Sequence, residues 1–120
     1  MERLTIDCPF CDIMNGKANV VFCDQIWNHG RLELAIIEPL NQVVPGHRLA
    51  IPGAHVSNAL EDPHLTGRLM TYACLFAKRR PGAVNIITSV GPEATQTIDH
   101  LHLHIVPRRK DDGLKLPWIG

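Results

Sequence analysis

An α+β fold, with a mostly antiparallel five-stranded sheet, one long helix and one short helix, is predicted by three observations. Strand-like runs outnumber helical ones, short turns rather than repeated crossover helices join them, and one long segment carries sharply marked helix boundaries.

In chain order, Cys8-Pro-Phe-Cys11 opens a short helix that ends at Asn15-Gly16, a pair suited to a C-cap. Two β-rich runs, Val20 to Trp27 and Glu33 to Glu38, flank the turn-prone Asn28-His29-Gly30-Arg31 and form an antiparallel hairpin. A third strand, Arg48 to Ile51, lies between Pro45-Gly46 and Pro52-Gly53. The long helix is predicted from Pro63 to Arg80, with Asp62 as N-cap, Pro63 at N1, and Arg79 and Arg80 in the last turn before Pro81-Gly82. Leu65, Leu69, Ala73, Phe76 and Ala77 recur at three- and four-residue steps, so one face of it is apolar and covers the sheet. The last two strands, Val84 to Val90 and Ile98 to Val106, are divided by the loop Gly91 to Thr97, and a charged tail begins at about Arg108.

A chain of 120 residues suits one domain, taken as residues 1–120 with that tail. Lys plus Arg equals Asp plus Glu, 12 against 12, so whole-molecule charge favours neither nucleic acid nor an acidic membrane surface as partner. Phosphate recognition would therefore be local. No apolar run approaches the roughly 18 residues of a bilayer span and the N-terminus lacks an apolar signal core, so a cytoplasmic location is expected. In a reducing compartment the four cysteines are read as thiols or metal ligands, with Cys23 and Cys74 as buried small apolar residues.

The chemistry is concentrated in His100-Leu-His102-Leu-His104. Along an extended chain the side-chain period is two, so the three imidazoles share one face and Leu101, Leu103 and Ile105 anchor the other. A row of imidazoles repels itself when protonated, which makes it a costly surface and a useful place for a nucleophile beside proton donors. Metal binding and attack on phosphorus by a neutral imidazole both suit such a row.

This run has the His-x-His-x-His-x-x pattern with apolar x, and Gly91-Pro-Glu-Ala-Thr-Gln96-Thr97 immediately precedes it. Together with Pro45-Gly-His47-Arg-Leu-Ala-Ile-Pro52 and Cys8-Pro-Phe-Cys11, the chain resembles Hint-type members of the histidine triad (HIT) superfamily from about residue 8 to 107. The resemblance implies a nucleotide hydrolase or transferase acting at the α-phosphorus of a nucleoside phosphoramidate or dinucleotide polyphosphate. His102 would be the nucleophile, forming a nucleotidyl-histidine. His104 would bind phosphate and assist the leaving group, with His100 and His47 as further members of the catalytic set. Gln96 and Thr97 match the pair that holds phosphate oxygens. Ser89 stands where the family usually has Asn, Thr95 replaces a common Gly, and Pro39 occupies the place of a ribose-binding Asp, leaving Glu38 or Asn41 to reach the ribose. By position Phe10, Ile13, Ile37 and Leu40 resemble the apolar base pocket.

In the zinc-bearing branch, the two cysteines combine with the His after the Ile-Pro segment and the first His of the triad, here Cys8, Cys11, His55 and His100. That set implies one structural zinc per chain, tetrahedral and closed. A homodimer is expected from the resemblance and from a small domain whose long amphipathic helix and edge strands suit an identical partner, with the tail around Trp118 near the partner's active site. The alternative function is a nucleotide-binding or protein-interaction module with little turnover. A nucleic-acid end-processing enzyme resembling aprataxin fits the neutral charge poorly.

Overall fold

A computed structural model describes residues 8–116. Its elements are α1 (Pro9–Met14), β1 (Phe22–Asn28), β2 (Arg31–Ile37), β3 (Arg48–Pro52), α2 (Pro63–Ala77), β4 (Ala83–Ile87) and β5 (Leu103–Arg108), with a 3₁₀ turn at Pro92–Ala94. The strands form one antiparallel sheet in the order β1-β2-β3-β5-β4. The predicted fold class, one such sheet with a long and a short helix, is the one observed.

The β1–β2 turn takes only two residues, His29 and Gly30, both with positive φ (52° and 76°). That backbone twist matches the right-handed twist of the strands it joins. Each face of the sheet then carries its own core. Leu34, Ile36, Ala50, Leu101, Leu103 and Ile105 pack under α2 against Leu69, Tyr72 and Ala73, while Leu32, Ala35, Ile37, Leu49 and Ile51 pack under α1 against Phe10 and Met14. Helix α2 begins as its sequence dictates, with the Asp62 carboxylate accepting from the Leu65 N–H at 3.0 Å. Tyr72 then clamps it to β1 by donating its hydroxyl to Asp24 (2.7 Å), which Arg79 also contacts at 3.3 Å.

Several boundaries move. Helix α2 ends at Ala77 with Lys78 as cap, so Arg79 and Arg80 lie beyond the last turn, and Cys74 is exposed rather than buried. Strand β4 stops at Ile87 rather than Val90, and β5 begins at Leu103 rather than Ile98. His100 and His102 therefore precede the ladder. At the other end of β5, Arg108 forks onto Asp112 (2.7 and 3.1 Å) and also donates to Asn85 and to the Leu114 carbonyl, fastening the start of the tail to the sheet. Trp118 lies outside the described residues.

Candidate active site and metal cluster

The segment leading into β5 bends at residues 98–100, where the His100 N–H donates to the Ile98 carbonyl at 2.9 Å, and is not paired as a strand. The Leu101 N–H donates to the Val56 carbonyl at 2.7 Å, and the Thr88 hydroxyl donates to the His102 carbonyl at 2.8 Å. These two bonds replace the missing ladder, and the predicted alternation survives. Leu101 and Leu103 enter the core under α2, whereas the rings of His100 and His102 meet Phe10 of α1 edge-on at centroid distances of 5.6 and 5.0 Å. Thr88 went unrecognised in the sequence, where it reads only as the end of a strand.

Backbone groups fix which nitrogen of each imidazole carries the proton, because a neutral ring donates through one nitrogen and accepts through the other. His102 donates from Nδ1 to the His100 carbonyl (2.7 Å), which leaves its Nε2 lone pair bare. His100 donates from Nε2 to the Pro52 carbonyl (2.9 Å), leaving Nδ1 bare. His47 accepts the Val43 N–H at Nδ1 (3.2 Å), so its proton sits on Nε2 and is donated to Nδ1 of His104 at 3.0 Å. His104 consequently keeps its own proton on Nε2. The His47 and His104 rings stack at 5.2 Å, and His102 meets His104 edge-on at 5.1 Å. A bare nucleophilic nitrogen and an N–H donor thus lie on neighbouring rings.

Burial keeps these rings neutral. It lowers the pKa of His102, an effect partly opposed by the bond to the His100 carbonyl, and it lowers that of His47 with help from Arg48. Burial, then repulsion from His102 and His47, brings His104 down to about 4. Unprotonated imidazoles at neutral pH are the form that nucleophilic attack requires.

Residues 91–97 make a tight loop in which the Gly91 carbonyl accepts from both Ala94 and Gln96 N–H at 3.1 Å. Gln96 does not reach outward as a phosphate ligand would. Its side chain is only 8% exposed and donates to the Ser57 and Ile98 carbonyls (2.6 and 3.0 Å) while accepting from the Gly91 N–H (3.0 Å). Thr97 is exposed and Ser89 half-buried. Thr95 adopts φ 70°, ψ 26°, the left-handed region in which a Cβ costs about 1–2 kcal/mol. Glycine would remove that cost and add about 0.5–1 kcal/mol of chain entropy. Thr95→Gly is therefore expected to stabilise the protein by about 0.5–1 kcal/mol, measured as a higher urea midpoint at unchanged slope. A lower midpoint would mean that the threonine side chain has a supporting role.

The four apolar positions assigned to a base pocket separate. Phe10 and Ile37 are buried core residues and Ile13 packs against them, but Leu40 stands 97% exposed. Glu38 is engaged by Arg48 at 3.5 Å, while Asn41 is exposed. Core packing accounts for Phe10 and Ile37 without a ligand.

The donor atoms of Cys8, Cys11, His55 and His100 all lie within 4.8 Å of one another. Nδ1 of His100 is 3.3 Å from the Cys8 sulfur, 3.6 Å from the Cys11 sulfur and 3.1 Å from Nδ1 of His55, which is itself 3.1 Å from the Cys11 sulfur. Tetrahedral bonds of roughly 2.0–2.3 Å would place such atoms about 3.3–3.8 Å apart. The bare Nδ1 of His100 points its lone pair into this group, so the donor set can hold a metal ion.

A family model for the HIT domain matches residues 33–111. The chain is 33% identical over 114 residues to a HIT-like protein of Methanocaldococcus jannaschii, covering 88% of this chain and 82% of that one. It is 28% identical to an adenosine 5'-monophosphoramidase of Schizosaccharomyces pombe, covering 94% and 84%. A solved structure of a HIT family member from Bacillus subtilis superposes with a TM-score of 0.82 at 25% identity, covering 96% and 83%. With the family model spanning β2 to β5 and the triad in place, the chain belongs to the HIT domain family.

Proposed function

We propose that this protein hydrolyses or transfers at the α-phosphorus of a nucleoside phosphoramidate or dinucleotide polyphosphate. The observation that supports this reading is the pairing of protonation states, a bare Nε2 on His102 beside an N–H donor on His104. In the proposed cycle the His102 lone pair bonds to phosphorus, and the bond to the leaving group breaks while the Nε2–H of His104 hydrogen-bonds that group and water protonates it. Water or another acceptor then attacks the nucleotidyl-histidine, loses its proton to solvent and frees the His102 nitrogen, with His104 holding its own proton throughout. The His100 carbonyl and Thr88 position the nucleophile. Thr97, Ser89 and the loop backbone bind the phosphate, and Asn41 takes the ribose hydroxyls. Similarity to a phosphoramidase supports this substrate class.

The cluster of Cys8, Cys11, His55 and His100 holds zinc in this reading, because two thiolates with two imidazoles form a closed set that suits a structural ion. The protein forms a homodimer in this reading. Val84 and Ile87 on the edge strand β4, and Leu75 on the outer side of α2, expose apolar surface that a second copy would cover. Light scattering should give about twice the 13.4 kDa chain mass at micromolar concentration, and a monomer mass would remove the dimer. No helix among the described residues is long and apolar enough to cross a membrane, and a cytoplasmic enzyme is consistent with that.

Intact-mass spectrometry after mixing with a panel of nucleoside phosphoramidates and dinucleotides tests the function. A nucleotidyl adduct that forms and decays supports it, whereas no adduct and no product would leave the low-turnover binding module. The inward-turned Gln96, which leaves the phosphate loop one ligand fewer, is the observation that favours this second reading.

A further inference from the structure

The Gln96 amide joins three segments of the chain. It bonds to Gly91 at the start of its own loop, to Ser57 in the loop after β3, and to Ile98 in the lead-in to β5. Both Nε2 hydrogens are used, and the amide cannot be turned over, because its oxygen would then face two carbonyls and its nitrogen an N–H. Among the described residues no other hydrogen bond ties residues 91–97 to the rest of the protein. Ser57 lies two residues after His55, and the intervening Val56 carbonyl holds Leu101, next to His100. Residues 55–57 are therefore where a metal donor, the histidine segment and the loop facing the substrate are fastened together.

We propose that Gln96 is a positioning strut through which a divalent cation held by Cys8, Cys11, His55 and His100 orders the loop 91–97. The inference rests on the metal and phosphate-loop assignments proposed above. His55 is exposed, so a cation bonded to it adds a restraint at the outer end of this segment. That restraint fixes the Ser57 carbonyl, and the Gln96 amide carries it 39 residues along the chain to the loop. Metal binding then reaches the phosphate without the ion approaching the substrate.

Hydrogen exchange by mass spectrometry on the full chain, metal-free and loaded with cobalt(II), tests this, with thiolate-to-cobalt absorption reporting occupancy directly. In the wild type, cobalt should slow exchange across residues 91–97 by about tenfold. In Gln96→Leu the absorption band should remain and residues 55–57 and 98–101 should still slow, while the loop exchanges at one rate with or without cobalt. Gln96→Glu, which retains the acceptor for Gly91 and loses both donated bonds, should behave alike and serves if the leucine variant does not fold. A loop that responds to cobalt equally in the variants and the wild type overturns the strut, as does a wild-type loop indifferent to cobalt while the band is present. No band in the wild type removes the metal assignment itself, and the coupling falls with it.

Discussion

His102→Ala is expected to lower turnover by about four orders of magnitude or more while nucleotide affinity stays within roughly tenfold. The variant loses the lone pair that bonds to phosphorus, but Thr97, Ser89 and Asn41, the groups assigned to hold the nucleotide, are unchanged. The nucleotidyl adduct should vanish from the mass spectrum together with product. Thr97→Ala should cost only about 10²–10³-fold, since it supplies one of several donors to the phosphate oxygens. Turnover by the alanine variant at the wild-type rate would remove His102 as nucleophile. Equal and complete loss in both variants would instead point to misfolding, which circular dichroism would detect.

The second large effect is expected from the metal cluster. Protein purified without chelator should carry one zinc per chain, and stripping it should lower the melting temperature by roughly 10–20 °C. Cys8 and His100 are 92 residues apart in sequence, so an ion joining them closes nearly the whole domain into a loop. A cross-link of that span stabilises by about 3–5 kcal/mol in the chain-entropy account. Cys8→Ser and His55→Ala should each reduce metal content and melting temperature together. Thiolates must be deprotonated to bind, so occupancy should fall as pH falls. Absence of bound zinc, with a melting temperature indifferent to added zinc, would dismiss the site and leave His100 a purely orienting residue.

Local chemistry was legible in the sequence wherever it depended on neighbours along the chain. Asp62-Pro63 starts α2 as read, and the alternation of His and Leu sorts into two faces although residues 98–100 bend and only Leu103 onward is paired. What escaped depended on partners far away. The start of β5 shifts because Val56 and Thr88, 45 and 14 residues distant, take the backbone bonds a ladder would use. The inward turn of Gln96 is hidden for the same reason, since nothing near it announces the Ser57 carbonyl. Leu40 was placed by position alone, and position carries no information about exposure. The metal donors came together as anticipated because two motifs, rather than isolated residues, named them.

The Val43 amide that faces Nδ1 of His47 gives the histidine pair a one-way character. An amide N–H cannot accept a proton, so the far nitrogen of His47 cannot be filled from that side. His104 likewise holds a single proton, on Nε2, and either ring that surrendered its proton would be left an imidazolate, far out of reach at neutral pH. His104 therefore offers its N–H to the substrate side as a standing hydrogen bond, and no proton leaves it. In the proposed cycle the same N–H is thereby obliged to steady the leaving group in the first half-reaction and the attacking group in the second, and turnover cannot restart until an acceptor has attacked. A nucleotidylated protein deprived of acceptor should stay charged and wait, holding its nucleotide as a loaded donor.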